Sequence, residues 1–199
     1  MKDISNYLQD VPTSWTDHIH FAQWIVKRLN PDVIVDLGVD FGYSTFCFAS
    51  PGIGKVYGID SFEGDPQAGY RNTYQFVINK KDEIGLNNIK FLKGFFNPIA
   101  KKWKKPIDIL HIDGFHSYHA VKNDYETWGK FVKNDGIILM HDTCIKTPGY
   151  EVYKFFEEID LPKINFTFSY GLGVISKDKE LIEEINSVFS LETPLNFYL

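Results

Sequence analysis

Cysteine is scarce. The chain holds two in 199 residues, Cys47 and Cys144, with no CxxC pair. This excludes a disulfide-stapled scaffold and a cysteine-based zinc site, and it fits a reducing compartment. Positive charge is also in deficit. Lys and Arg number 21 against 26 Asp and Glu, a formal net charge of -5. The short run Lys101, Lys102, Lys104 and Lys105 reads as the solvated end of a helix. A nucleic-acid partner, which requires a basic face to release counterions from phosphates, is not expected. No window approaches the roughly 18 apolar residues of a membrane-spanning helix. The opening stretch MKDISNYLQDVPTSW lacks the apolar core of a secretory leader. A cytoplasmic protein without membrane contact is therefore expected.

A dinucleotide fingerprint is missing too. GxGxxG lets backbone approach a pyrophosphate, but after the first apolar run only Gly38 and Gly42 occur, separated by Val39-Asp40-Phe41. The bulky, acidic turn suits a nucleoside without phosphate and argues against an NAD-type oxidoreductase. What is plentiful is apolar and aromatic surface: 44% hydrophobic residues, with 17 Phe and 11 Tyr. A chain of this length fits one domain, with rings to spare for a pocket wall.

Short β-branched runs alternate with helical periodicity. Strands are expected at Val33 to Gly38, Lys55 to Asp60, Asn88 to Gly94, Ile107 to Asp113 and Gly136 to Asp142. Helices are expected at Trp15 to Leu29 (capped by Ser14 or Thr13), Tyr43 to Ala49, Arg71 to Ile84, Pro98 to Lys104, Tyr118 to Val132, Tyr150 to Ile159 and Lys177 to Phe189. Asn165 to Ser169 and Gly173 to Ser176 read as a terminal hairpin across Tyr170-Gly171-Leu172. The sum is an α/β, doubly wound, mostly parallel sheet with one antiparallel strand.

Open sheets of this kind bind ligands outside the carboxyl ends of their strands. Four of the five expected ends carry acids: Asp36 and Asp40; Asp60 with Glu63 and Asp65; Asp113; and Asp142. An acid ending the second strand, here Asp60, can accept from ribose hydroxyls. Helix N-terminal amides near Tyr43 and Ser44 can receive a carboxylate, and an acid can pair an ammonium. Of the histidines, His111 lies within a strand and reads as a core residue. His18, His20 and His119 read as surface or packing residues, and Asp124 and Glu126 as a solvated helix face. Tyr70, Tyr74, Phe95, Phe96, Phe115 and Tyr170 read either as pocket wall or as core.

Taken in order, DLGVDFGYST, GIDSFEGDP, LKGFF, HIDGFHSYHAVKNDYETW, DGIILMHDT and YGLGVIS resemble the class I S-adenosylmethionine-dependent methyltransferases over about Asp17 to Ser176. They are most similar to the small bacterial branch of macrocin-type sugar O-methyltransferases and cephalosporin-hydroxylase-like proteins. The resemblance implies a single Rossmann-like domain over 1–199, with 1–30 as an N-terminal helical cap. It implies seven strands in the order 3-2-1-4-5-7-6 with one antiparallel. It places Gly38, Asp40, Gly42 and Ser44 near the methionine end of S-adenosylmethionine, Asp60 on the ribose, and Phe62, Gly94 and Phe95 about the adenine. The acceptor is then a small-molecule hydroxyl, on a sugar or a glycosylated metabolite, and a homo-oligomer is compatible with the family.

In that order the strands ending at Asp113 and Asp142 are neighbours about 4.8 Å apart. With His116 and His141 beside them, two devices are open. Asp113, His141 and Asp142 could bind Mg²⁺ or Mn²⁺, which would hold the acceptor oxygen and lower its pKa. Alternatively, His116 could act with Asp113 as general base. Because strand side chains alternate faces, His141 and Asp142 can share one direction only if the strand has already ended. A noncatalytic nucleoside-binding module or a metal hydrolase on the same four residues are the competing readings.

Overall fold

Residues 4–194 are described by a computed structural model. The central strand is the VIVDL run, β1 (Val33–Leu37), and every residue in it is buried. Such a strand needs cover on both faces, and parallel neighbours joined by helical crossovers provide it. β2 (Lys55–Asp60) lies on one side, with Leu37 opposite Ile59. β3 (Ile89–Lys93) follows β2, with Lys93 opposite Asp60. On the other side of β1 stand β4 (Ile107–Ile112) and then β5 (Val132–His141), with Ile112 opposite both Leu37 and Met140. β7 (Leu172–Ser176) runs antiparallel to β5, and β6 (Lys163–Phe166) pairs antiparallel with β7 at the edge. The order is therefore 3-2-1-4-5-7-6, with β7 as the antiparallel strand.

One face of the sheet is covered by α2 (Ile19–Leu29), α3 (Tyr43–Ala49), α4 (Tyr74–Ile84) and α8 (Lys179–Val188), whose apolar side chains share a core with the short α1 (Ser5–Leu8). The other face is covered by α5 (Phe96–Ala100), α6 (Tyr118–Gly129) and α7 (Val152–Glu158). A two-stranded ribbon, Gly64–Asp65 with Gly69–Tyr70, projects after β2.

Several boundaries differ from sequence expectation, each for a local reason. The first expected helix opens as a 3-10 turn, Thr16–His18, and the Thr13 hydroxyl accepts from the Trp15 amide rather than capping α2. α4 begins at Tyr74 instead of Arg71, because Asn72 Oδ1 accepts the Tyr74 amide and the Arg71 guanidinium is engaged elsewhere. α5 and α6 stop earlier than expected, at Ala100 and Gly129. β5 starts four residues early, through an irregular pairing opposite Ile107 and Ile109. The terminal hairpin loses Thr167 to Ser169 from its first strand. Ser169, Tyr170 and Gly171 all take positive φ (46°, 67° and 94°) and curl the chain off the ladder. That curl carries the Ser169 carbonyl to His141.

Candidate active site

The carboxyl ends of β1 to β5 open on a cleft of about 980 Å³. Its floor is built from backbone. Gly38 has φ +92°, and a Cβ there would lie 1.9 Å from the Asp113 carbonyl oxygen. Only glycine lets the ends of β1 and β4 approach so closely. The Gly38 amide donates to the Ile59 carbonyl (3.0 Å) and the Asp113 amide to the Leu37 carbonyl (2.8 Å), which ties three strand ends together. Gly42 also has positive φ (89°), with the Phe46 ring where a Cβ would point.

Asp60 organises this floor. Its Oδ2 accepts the amides of Val39 (2.8 Å) and Asp40 (2.9 Å), and its Oδ1 accepts that of Phe62 (2.6 Å). Burial raises its pKa, against the pull of those amides. Asp40, at φ +46°, holds Arg71 in a two-point ion pair with contacts of 2.9 and 2.6 Å. The strand-end acid near the expected methionine position thus comes with its own cation, which sequence reasoning missed. Ser44 lines the cleft, but its hydroxyl donates to the buried Asp36 (2.8 Å). Asp36 also takes the Thr45 hydroxyl and His111 Nδ1 (2.7 Å), while His111 Nε2 accepts from Trp15 Nε1 (3.2 Å). His111 is accordingly a satisfied core histidine with its proton on Nδ1.

Gly38, Asp40, Gly42, Gly94 and Phe95 all line the cleft. Gly94 donates its amide to the Asp60 carbonyl, and the Phe95 ring is 73% exposed. Phe62 is a correction. Its ring is fully buried between Tyr74 and Phe91 and does not reach the cleft. The cause is its own backbone: at φ +58°, with its amide on Asp60, the residue turns its side chain into the core. Of the other candidate wall rings, Phe96, Phe115 and Tyr170 face the cleft, whereas Tyr70 and Tyr74 do not.

The far side of the cleft is built from side chains. β5 ends at His141, and Asp142 takes φ +62°, so the strict alternation of faces is already broken there. His141 and Asp142 then both meet Asp113. His141 Nδ1 lies 3.4 Å from a carboxylate oxygen of each acid, and His116 Nε2 lies 2.7 Å from Asp142 and 3.6 Å from Asp113. Asp113, His141 and Asp142 each offer one ligand atom, all within 4.8 Å of one another. His141 stands behind the two acids, 1% exposed. Its Nε2 donates to the Ser169 carbonyl (3.0 Å), which leaves Nδ1 aimed at the carboxylates without a formed hydrogen bond.

His116 is held differently. Gln67, at the tip of the ribbon, accepts from both the His116 amide (3.0 Å) and Nδ1 (2.8 Å), and passes its own amide to the Gly149 carbonyl. With Nδ1 donating to Gln67, Nε2 can contact Asp142 at 2.7 Å only as a second donor. His116 is therefore an imidazolium. Burial opposes that charge, but hydrogen bonds to Asp113 and Asp142 outweigh it and raise its pKa to about 9. The same balance of burial against the two acids raises His141 to about 10. Both carboxylates are correspondingly held below the usual range. Tyr150 stacks on the His116 ring, with centroids 4.5 Å apart.

The remaining histidines fall outside this cluster. His18 is fully buried, stacked on Phe168 and edge-on to Trp15 and His141. His119 is exposed, and Tyr118 points outward to Glu158 (2.7 Å). Asp124 is not on a solvated face as the sequence suggests; it is buried and lines the cleft.

Comparisons with known proteins agree with this architecture. The chain is 26% identical over 168 residues to the uncharacterized protein R132 of Acanthamoeba polyphaga mimivirus, covering 81% of this chain and 72% of that one. It is 31% identical over 183 residues to the uncharacterized protein y4gI of Sinorhizobium fredii. There the match takes in 87% of this chain but spans only one fifth of the relative's length (20%). Among solved structures, an O-methyltransferase from Bacillus cereus in complex with SAH shares the fold at TM-score 0.64 and 16% identity, over 87% of this chain and 86% of that one. The O-methyltransferase TomG from Streptomyces achromogenes, in complex with SAM, does so at TM-score 0.63 and 16% identity, over 88% and 91%. Residues 35–143, the stretch from β1 to just past Asp142, match the methyltransferase domain model, and the chain belongs to that family.

Proposed function

We propose that this chain is a single-domain S-adenosylmethionine-dependent O-methyltransferase acting on a hydroxyl of a small molecule such as a sugar or glycosylated metabolite. The carrying observation is that Gly38, Asp60 and Asp113, from three strands, line one cleft. When bound, the cofactor supplies an electrophilic methyl group on a sulfonium. The chain supplies position, which governs much of the rate of an in-line displacement. Asp60, besides its three amides, would accept from ribose hydroxyls. The Asp40–Arg71 pair offers both signs of charge to an amino-acid tail, Gly38, Gly42 and Ser44 leave room beside it, and Gly94 and Phe95 line the base side. The cap would be residues 1–30, of which 1–3 lie outside the described residues; Pro12 to Trp15 border the cleft. The net charge of -5 supports a small acceptor rather than a nucleic acid.

On the acceptor side, Asp113, His141 and Asp142 would hold Mg²⁺ or Mn²⁺. Two carboxylates and an imidazole suit either ion, and His141, its ring locked through Nε2 on the Ser169 carbonyl, turns Nδ1 towards both acids; ligation there would require the ion to displace the Nδ1 proton. Such an ion would supply a Lewis acid for an acceptor hydroxyl. His116 bears a proton in this arrangement, so it steadies the carboxylates; service as general base would first require loss of the proton facing Asp142.

Calorimetry with S-adenosylhomocysteine tests the reading. Binding is expected, together with a raised melting temperature, and Asp60→Asn is expected to weaken it by about tenfold or more. No binding at millimolar ligand would overturn the proposal.

A further inference from the structure

The ribbon after β2 has no apolar anchor: none of residues 63–72 is buried. Within itself it is nevertheless stiff. Asp65 Oδ1 accepts the amides of Gln67 (2.6 Å) and Ala68 (2.8 Å), which fixes the turn at the tip. A Cβ on Gly64 would lie 2.1 Å from the Gly69 carbonyl oxygen, so the two short strands press together. At the base the Arg71 amide donates to the Glu63 carbonyl (3.0 Å), and the Arg71 guanidinium joins the Ala68 carbonyl to Asp40. Such an arm turns about its base as one piece.

On the far side one side chain holds it. Gln67 Oε1 accepts from the His116 amide (3.0 Å) and from His116 Nδ1 (2.8 Å), and Gln67 Nε2 donates to the Gly149 carbonyl (2.9 Å). A backbone amide can only donate and a carbonyl can only accept, so the carboxamide has one orientation. Among the described residues these are the hydrogen bonds from the ribbon to the loops after β4 and β5. In the sheet β1 and β4 stand between β2 and β5, so the arm crosses about 10 to 15 Å of strand ends. The cleft is bordered along that crossing by Gly64, Asp65 and Ala68 of the arm, and by Thr147 and Tyr150 of the loop that bears Gly149. Half-exposed polar contacts of this kind open and close without unfolding a sheet.

We propose that Gln67 is the clasp of a strap across the cleft, and that ligands enter and leave when this clasp opens. Gln67 is a positioning residue: it touches His116 and Gly149, not the reacting atoms. What passes the strap rests on the adenosyl reading above. Because every partner of the clasp belongs to this chain, it slows entry and exit alike and leaves affinity nearly unchanged.

Surface plasmon resonance with S-adenosylhomocysteine over the immobilised full chain tests this. In Gln67→Ala the association and dissociation rate constants should both rise about tenfold, and their ratio should move less than about threefold. A residue that only braced the fold would instead weaken affinity. Gln67→Glu keeps both contacts to His116 but cannot donate to the Gly149 carbonyl, so its rates should fall between those of the parent and the alanine variant. Hydrogen exchange at the His116 amide gives a measure that needs no ligand: it should be at least about tenfold faster in Gln67→Ala than in the parent. Unchanged rate constants in Gln67→Ala, a faster dissociation matched by lost affinity, or a His116 amide that exchanges equally fast in parent and variant overturns the proposal. Absence of any S-adenosylhomocysteine binding overturns the adenosyl reading instead, and the amide exchange then decides the clasp alone.

Discussion

The two sides of the cleft are made of different materials. On the β1–β2 side, main chain does the work: Gly38 presses against the Asp113 carbonyl, and Asp60 collects three amides. On the β4–β5 side, four ionisable side chains meet across neighbouring strands, and two of them are aimed by residues far away in sequence. Gln67 holds His116 from the ribbon, and Ser169 holds His141 from the hairpin turn. The first side therefore stands or falls with the fold. The second can change its charge and its ligands while the fold persists.

The sharpest way to break this contrast is Gly38→Ala. A methyl group 1.9 Å from a carbonyl oxygen, on a residue at φ +92°, forces apart the ends of β1 and β4. A loss of about 3 kcal/mol or more is expected in urea unfolding. A variant within about 1 kcal/mol of the parent would show that the backbone floor is less tightly set than the geometry indicates.

Asp142→Asn probes the other side. Titration of the parent chain with Mn²⁺ should raise its melting temperature, and the variant should lose that rise while remaining folded. A parent chain indifferent to Mn²⁺ and Mg²⁺ would remove the metal from the proposal and return attention to His116. An asparagine variant as unstable as Gly38→Ala would erase the distinction between the two sides.

The smallest effect concerns His18, which packs behind His141. Burial, and then the neighbouring positive charge of His141, lower its pKa from 6.5 to about 3. On acidification the unfolded chain accepts a proton that the folded chain refuses. Stability should therefore fall as pH drops from about 6.5 towards 3, by up to about 1.4 kcal/mol per pH unit from this residue. His18→Phe keeps the ring stacked on Phe168 and should flatten the acid limb of stability against pH. An unaltered limb in urea midpoints between pH 7 and 5 would mean that His18 does not remain neutral in the folded state.

The uneven legibility of the chain follows the same division. VIVDL reads as a buried parallel strand because four of its five residues are apolar, with Asp36 the one exception, and the acids at strand ends stand out against such runs. Gly38 and Asp60 follow from local pattern and the known direction of the chain. Phe62 misled, since a positive φ two residues past Asp60 reverses a ring and no sequence period records it. Asp124 misled as well: polar neighbours on a helix suggest solvent, but α6 turns that one position towards Gly114. His141 and Asp142 were undecidable until the end of β5 was located, because one residue of strand more or less flips a side chain to the opposite face.

The sequence by itself determined the layers, the order of strands through its family resemblance, and the gathering of acids at one rim, since all three depend on hydrophobic period and chain direction. Tertiary structure alone decided which of those groups are already engaged. Asp40 is taken by Arg71, Ser44 by Asp36, and His116 by Gln67 and two carboxylates, while His141 turns Nδ1 towards both acids and Asp124 Oδ2 lies beside Gly114. Partners separated by tens of residues are chosen by packing, and a linear pattern carries no record of that choice.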